Sequence, residues 1–115
     1  MSLPTYKRLG SSPVALSSTL TTNIYNPASG VVSFIRHIHV TNKTGSAATF
    51  SLWVGATGGN AAGTELFNAQ NVPANSSFDY YCTMKMVNAD FLVGGAGTAT
   101  ALTITIEGEE FLVQT

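Results

Sequence analysis

Apolar and polar residues alternate with a period of two along most of this chain, and the longest such run, Val31 to Asn42, anchors the reading of the rest. A strand throws successive side chains to opposite faces. Strict alternation therefore places Val32, Phe34, Arg36, Ile38 and Val40 on one face, with Phe34, Ile38 and Val40 as core. Val31, Ser33, Ile35, His37, His39 and Thr41 fall on the other, a mixed face. Asn42 to Ser46 reads as a hairpin-type turn. Ala47 to Gly55 then forms a partner strand, with Ala48, Phe50, Leu52 and Val54 on one side and Thr49, Ser51 and Trp53 on the other. A Trp on the polar side of a strand is either covered by a loop or used in a contact. Ser77 to Val87 is a second long strand: Phe78, Tyr80, Cys82, Met84 and Met86 face the core, and Asp79, Tyr81, Thr83, Lys85 and Val87 face away. From Ala101 to Glu107, Leu102, Ile104 and Ile106 alternate with Thr103, Thr105 and Glu107.

Shorter strands are expected within Val14 to Asn26, within Thr64 to Val72, at Phe91 to Val93 and at Phe111 to Val113, each bounded by turn clusters such as Asn26-Pro27-Ala28-Ser29-Gly30. No stretch of ten residues carries a helical period. The pattern predicts an all-β protein, an antiparallel β-sandwich of about eight strands with a jelly-roll-like arrangement, a small barrel being the alternative. Residues 1–12 are punctuated by Pro4, Gly10, Ser11 and Ser12 and read as an N-terminal arm, which the protein body or a neighbouring copy would order. Residues 13–115 read as a single sandwich domain.

Composition narrows the classes of function. A chain of 115 residues holds one domain. Hydrophobic residues make up 44% and charged residues only 10%, so Ser, Thr, Asn, Gly and Ala must cover much of the surface. Few charges would need desolvation at a contact, which favours close packing with a partner. The net charge is -1, and Lys7, Arg8, Arg36, Lys43 and Lys85 are scattered along the chain, so neither nucleic acid nor a membrane is expected as a partner. A lone Cys82 excludes an intrachain disulfide, and its core-type neighbours suggest an inert thiol. The first residues lack an apolar signal core, so no signal peptide is expected. The triplets Asn42-Lys43-Thr44 and Asn75-Ser76-Ser77 read as turn residues rather than glycosylation sites.

Candidate chemistry is sparse. His37 and His39 lie two apart on one strand and project from one face, the spacing with which cupin-type jelly rolls hold a metal. A third histidine is lacking, and Glu65, Asp79, Asp90, Glu107, Glu109 and Glu110 show no matching spacing. No metal ligand and no cofactor is therefore assigned; the pair would serve as ligands only if a carboxylate from elsewhere faces it. The glycine-rich run 55–63 lacks the Gly-Lys-Ser/Thr ending of a phosphate loop. A Gly-x-Ser-x-Gly elbow is absent, and Glu109 and Glu110 are adjacent and point to opposite faces of an extended strand. Catalysis is not expected.

The order of segments, a strand ending in His39-Val-Thr-Asn42, the turn Lys43-Thr-Gly-Ser-Ala-Ala48, then Phe50-Ser-Leu-Trp-Val-Gly55, and later Val72-Pro-Ala-Asn-Ser-Ser77 and Ile104-Thr-Ile-Glu-Gly-Glu-Glu110, resembles small β-sandwich structural proteins of tailed bacteriophage virions. The resemblance implies a non-enzymatic virion component, a capsid decoration protein bound to the outer shell, or else a tail or neck component. It implies a homo-oligomer, trimers being common in such roles, with the major capsid protein or other virion proteins as partners. Its location would be the virion, assembled in the host cytoplasm. The expected interface is the arm, through Leu3, Tyr6 and Leu9, with the mixed face carrying His37, His39 and Trp53. A carbohydrate-binding module is the competing reading, and it requires Trp53, Tyr81 or Tyr25 as an open platform. A metal-dependent jelly-roll enzyme ranks third.

Overall fold

In the computed structural model, which describes residues 5–112, nine strands follow one another: β1 (Thr5–Arg8), β2 (Val14–Ala15), β3 (Asn23–Tyr25), β4 (Val31–Asn42), β5 (Ala48–Gly55), β6 (Phe67–Val72), β7 (Ser76–Met86), β8 (Phe91–Ala96) and β9 (Leu102–Leu112). They form two antiparallel sheets. The first has the order β1-β9-β4-β7, with β2 also paired to β9; the second has the order β3-β8-β5-β6. β1 and β2 pair with successive parts of the same β9 edge, at Glu107 to Glu110 and at Thr103 to Ile104. Taken together they are one interrupted strand. The first strand then pairs with the last, β3 with β8, β4 with β7 and β5 with β6, which is the nested pairing of a jelly roll. The expected β-sandwich is therefore the fold, with a changed strand list: the arm supplies β1, the stretch from Val14 to Asn26 holds the two short strands β2 and β3, and the last strand expected from Phe111 is the continuation of β9, which runs unbroken from Leu102 to Leu112.

Two further local expectations change. Asn42 to Ser46 does not close a hairpin, because β4 and β5 lie in different sheets. It is a corner between the sheets, and Asn42 builds it. Its amide donates to the carbonyls of Ser46 (2.9 Å) and Val72 (3.0 Å), and its Oδ1 accepts the Thr44 N–H (2.9 Å) and hydroxyl (2.7 Å). Such a buried amide with every bond made explains why an Asn stands where a strand must turn out of its plane.

Phe34 is the second correction. Between Ile35 and His37 the register of β4 shifts: Ile35 faces Gly108 and His37 faces the adjacent Glu107, leaving Arg36 as an extra residue against β9. A bulge of this kind resets which residues point inward. Ser33 and Ile35 are buried before it, and Ile38, Val40 and Asn42 after it. Phe34 consequently lies on the outer face, stacked on Phe111 with ring centroids 5.8 Å apart. Gly108 makes the bulge possible, since a Cβ there would come within 2.0 Å of the Phe34 carbonyl oxygen. Only a residue without a side chain lets β9 run that close.

The core lies between the sheets. Leu9, Leu16, Ile35, Ile38, Val40, Phe50, Leu52, Met86, Leu92, Leu102, Ile104 and Ile106 are the largest of its fully buried side chains. Each contributes about 1.5–3 kcal/mol of hydrophobic stabilisation. The inner row of β7, Phe78, Tyr80, Cys82 and Met84, is only half covered. The strand packed opposite its Phe78 and Tyr80, through Phe67, is β6, and six residues cannot screen eleven. Cys82 follows this pattern: partly buried, its thiol donates to the Ile35 carbonyl at 3.4 Å, and burial raises its pKa. Tyr25 is held more firmly. Burial first, and then its hydrogen bond to Glu110 (2.6 Å), push its phenol above the ordinary range. Among the described residues no helix is long and apolar enough to cross a membrane.

Candidate functional site

The outer face of the first sheet collects the polar chemistry of the molecule on its three neighbouring strands β7, β4 and β9. The bulge at Arg36 turns His37, His39 and Thr41 outward, and the register sets them in rows. Tyr81, His37 and Glu107 form one row; Asp79, His39 and Thr105 form the next; Ser77, Thr41 and Thr103 form a third. Directly opposed side chains on adjacent strands come within contact distance. Asp79, lying between the two rings, reaches both.

A single oxygen, Asp79 Oδ1, is 2.7 Å from His37 Nε2 and 2.6 Å from His39 Nδ1. The remaining nitrogens are also held. His37 Nδ1 lies 3.2 Å from Glu107 Oε1, and His39 Nε2 lies 2.8 Å from the Thr41 hydroxyl. Carboxylates only accept, so His37, with one at each nitrogen, donates from both and is an imidazolium in this arrangement. His39 donates Nδ1–H to the Asp79 carboxylate, and its Nε2 shares a hydrogen bond with the Thr41 hydroxyl.

The electrostatics agree. Partial burial alone would lower the His37 pKa, but the hydrogen bonds to Asp79 and Glu107 outweigh it, and the net shift is upward. Hydrogen bonds from His39 and His37 hold the Asp79 carboxyl below its ordinary value. Tyr81 completes the cluster from the β7 side: its ring stacks on His37 with centroids 4.3 Å apart and planes within 4° of parallel, yet 74% of the residue is exposed. Beyond the cluster, Arg36 donates to Glu109 at 2.7 Å, and Lys7 lies 3.0 Å from Glu110.

The residues expected at an interface divide. His37 and His39 meet in this cluster. Tyr6 lies on β1 and is exposed. Leu3 falls outside the described residues. Leu9 is a core residue with no exposed surface, because the arm from Thr5 pairs along β9 and carries Leu9 in with it. Trp53 is 6% exposed, covered by the loop that follows β5, with its Nε1–H donating to the Ala61 carbonyl at 3.1 Å. Of the two roles open to that Trp, loop cover is the one it has. Tyr25 is buried too, so Tyr81 alone of the three candidate platform aromatics stays open.

Asp79 and Glu107 complete the histidine pair. Alternation alone already put both on outward faces; what it lacked was the β4–β7 and β4–β9 register that sets them beside the rings. The pair faces away from the space between the sheets, so it does not line an internal chamber of the jelly roll. Compared with protein-family models, curated proteins and solved structures, the chain matches none, and the meaning of this face rests on its own geometry.

Proposed function

We propose that this protein is a non-enzymatic structural component of a bacteriophage virion, a capsid decoration protein that self-associates and mounts on the outer shell. One observation carries the self-association. β7 is an eleven-residue strand at the end of its sheet, hydrogen-bonded along one side by β4, and its inner row of Phe78, Tyr80, Cys82 and Met84 is half covered. A long, weakly charged edge with an apolar row beside it is what proteins normally shield, and a second copy is the occupant that fits. The low charge of the chain supports the same reading. The virion assignment rests on the resemblance in segment order and on the compact jelly roll.

Light scattering on the purified chain, followed by co-sedimentation with phage particles, tests this reading. An oligomer that pellets with particles supports it. A stable monomer that binds glycans through Tyr81 would replace it with the carbohydrate-binding alternative.

A further inference from the structure

We infer that His37, His39 and Asp79 form a transition-metal site of the zinc class on the outer face of the sheet, joining β4 to the edge strand β7. The inference stands apart from the virion reading and needs only the cluster itself. The three ligand atoms lie within 4.8 Å of one another. His37 Nε2 and His39 Nδ1 both point at one place, now taken by Asp79 Oδ1 at 2.7 and 2.6 Å. Zinc sits about 2.0–2.2 Å from nitrogen and oxygen ligands, so donors around it stand a little over 3 Å apart. A small outward rotation of the Asp79 side chain, which is on the exposed face of β7, opens its two contacts, and a closing turn of the two rings brings their inner nitrogens to the same spacing.

The far sides of the rings distinguish this cluster from a chance gathering of polar groups. Metal-bound histidines hold their second nitrogen on an oxygen acceptor, which sets the tautomer and the ring plane. Here Glu107 Oε1 stands at the outer nitrogen of His37 and Thr41 Oγ1 at the outer nitrogen of His39. Tyr81, stacked flat on His37, restricts that ring further. An ion would displace the proton from His37 Nε2, leaving Nδ1–H towards Glu107, and in His39 the proton would stand on Nε2 rather than Nδ1, with the Thr41 hydroxyl turned to accept it. Two imidazoles and one carboxylate select zinc, nickel, copper or cobalt over magnesium or calcium, which prefer all-oxygen sites. Water would fill the fourth position on this half-exposed face.

The test is equilibrium dialysis of the full, untagged chain against zinc, with cobalt absorption as a second reading of the same site. One zinc per chain is expected. Asp79→Asn and His39→Gln should each weaken binding by at least about tenfold, and Glu107→Gln by about 10–100-fold through the His37 ring. Circular dichroism confirms the fold of each variant, and Asp79→Asn, nearly isosteric and exposed, preserves it. Failure to bind zinc, or wild-type affinity in both Asp79→Asn and His39→Gln, would overturn the assignment.

Discussion

His37 and Asp79 are 42 residues apart in the chain and 2.7 Å apart in the fold, on neighbouring strands of one sheet. Neither partner has its ordinary proton affinity: the ring's is raised and the carboxyl's lowered. Their contact ties the central strand β4 to the edge strand β7, on the face where the chain concentrates its titratable groups.

The linkage to pH follows from those two directions. His37 is raised from 6.5, so its share of stability is complete below that value and is lost as pH climbs through the raised one. Asp79 is lowered from 3.8, so its share is present above that value and is lost as pH falls through the lowered one. Metal-free protein should therefore draw most stability from this pair between about pH 4 and 6.5. Urea melts across pH will show the wild type losing stability above that window relative to His37→Gln; parallel profiles would contradict the pairing.

Gly108→Ala should be among the most damaging single substitutions. Its Cβ would lie 2.0 Å from the Phe34 carbonyl oxygen and 3.0 Å from Ile35 Cα, contacts that backbone cannot relieve without moving a strand. A loss of about 2–4 kcal/mol is expected by chemical denaturation. Zinc affinity should fall with it, since the bulge orients His37.

Asn42→Ala removes two donated and two accepted hydrogen bonds at the corner between the sheets. The buried Val72 carbonyl loses its side-chain partner, and a cost of about 2–3 kcal/mol follows. Thermal unfolding measures it, and a change of less than half that size would show that the corner forms without its amide.

Trp53 is the only Trp, which makes it a clean reporter. Covered by the loop at Ala61, it should emit at short wavelength, resist quenching by iodide, and give the same spectrum at every protein concentration. A spectrum that shifts on dilution would place it in a contact between copies instead.

Met84→Lys tests the β7 edge. The side chain is half covered, so a lysine can carry its ammonium to solvent and leave the fold intact. Set against a second copy, that charge should weaken self-association by at least about tenfold, as read by sedimentation or light scattering.

Much of this was legible in the linear pattern because strands report themselves through a period of two. The inward rows Leu102, Ile104, Ile106 and Phe78, Tyr80, Cys82 were readable in this way, as were the outward positions of Asp79 and Glu107. Alternation failed where the backbone stops alternating. One extra residue at Arg36 moved Phe34 from the expected core to the surface, and the only trace of it is a glycine more than seventy positions away. Burial of Leu9 and Trp53 was hidden for a different reason: each depends on a distant segment, β9 for one and the loop at Ala61 for the other, lying on top of it.

The sequence by itself determined that this is an all-β sandwich with a charge-poor surface, and that two histidines share one face of its longest strand. Periodicity and composition are local properties, and no pairing is needed to read them. Only the tertiary structure decided that β7 and β9 flank that strand in the register that brings Asp79 and Glu107 to the rings. Register is a property of two strands at once, set by the bulge at Arg36, the close approach at Gly108 and the burial of Ile38 and Val40. Those three constraints, acting across the sheet, turned a histidine pair into a cluster with converging nitrogens.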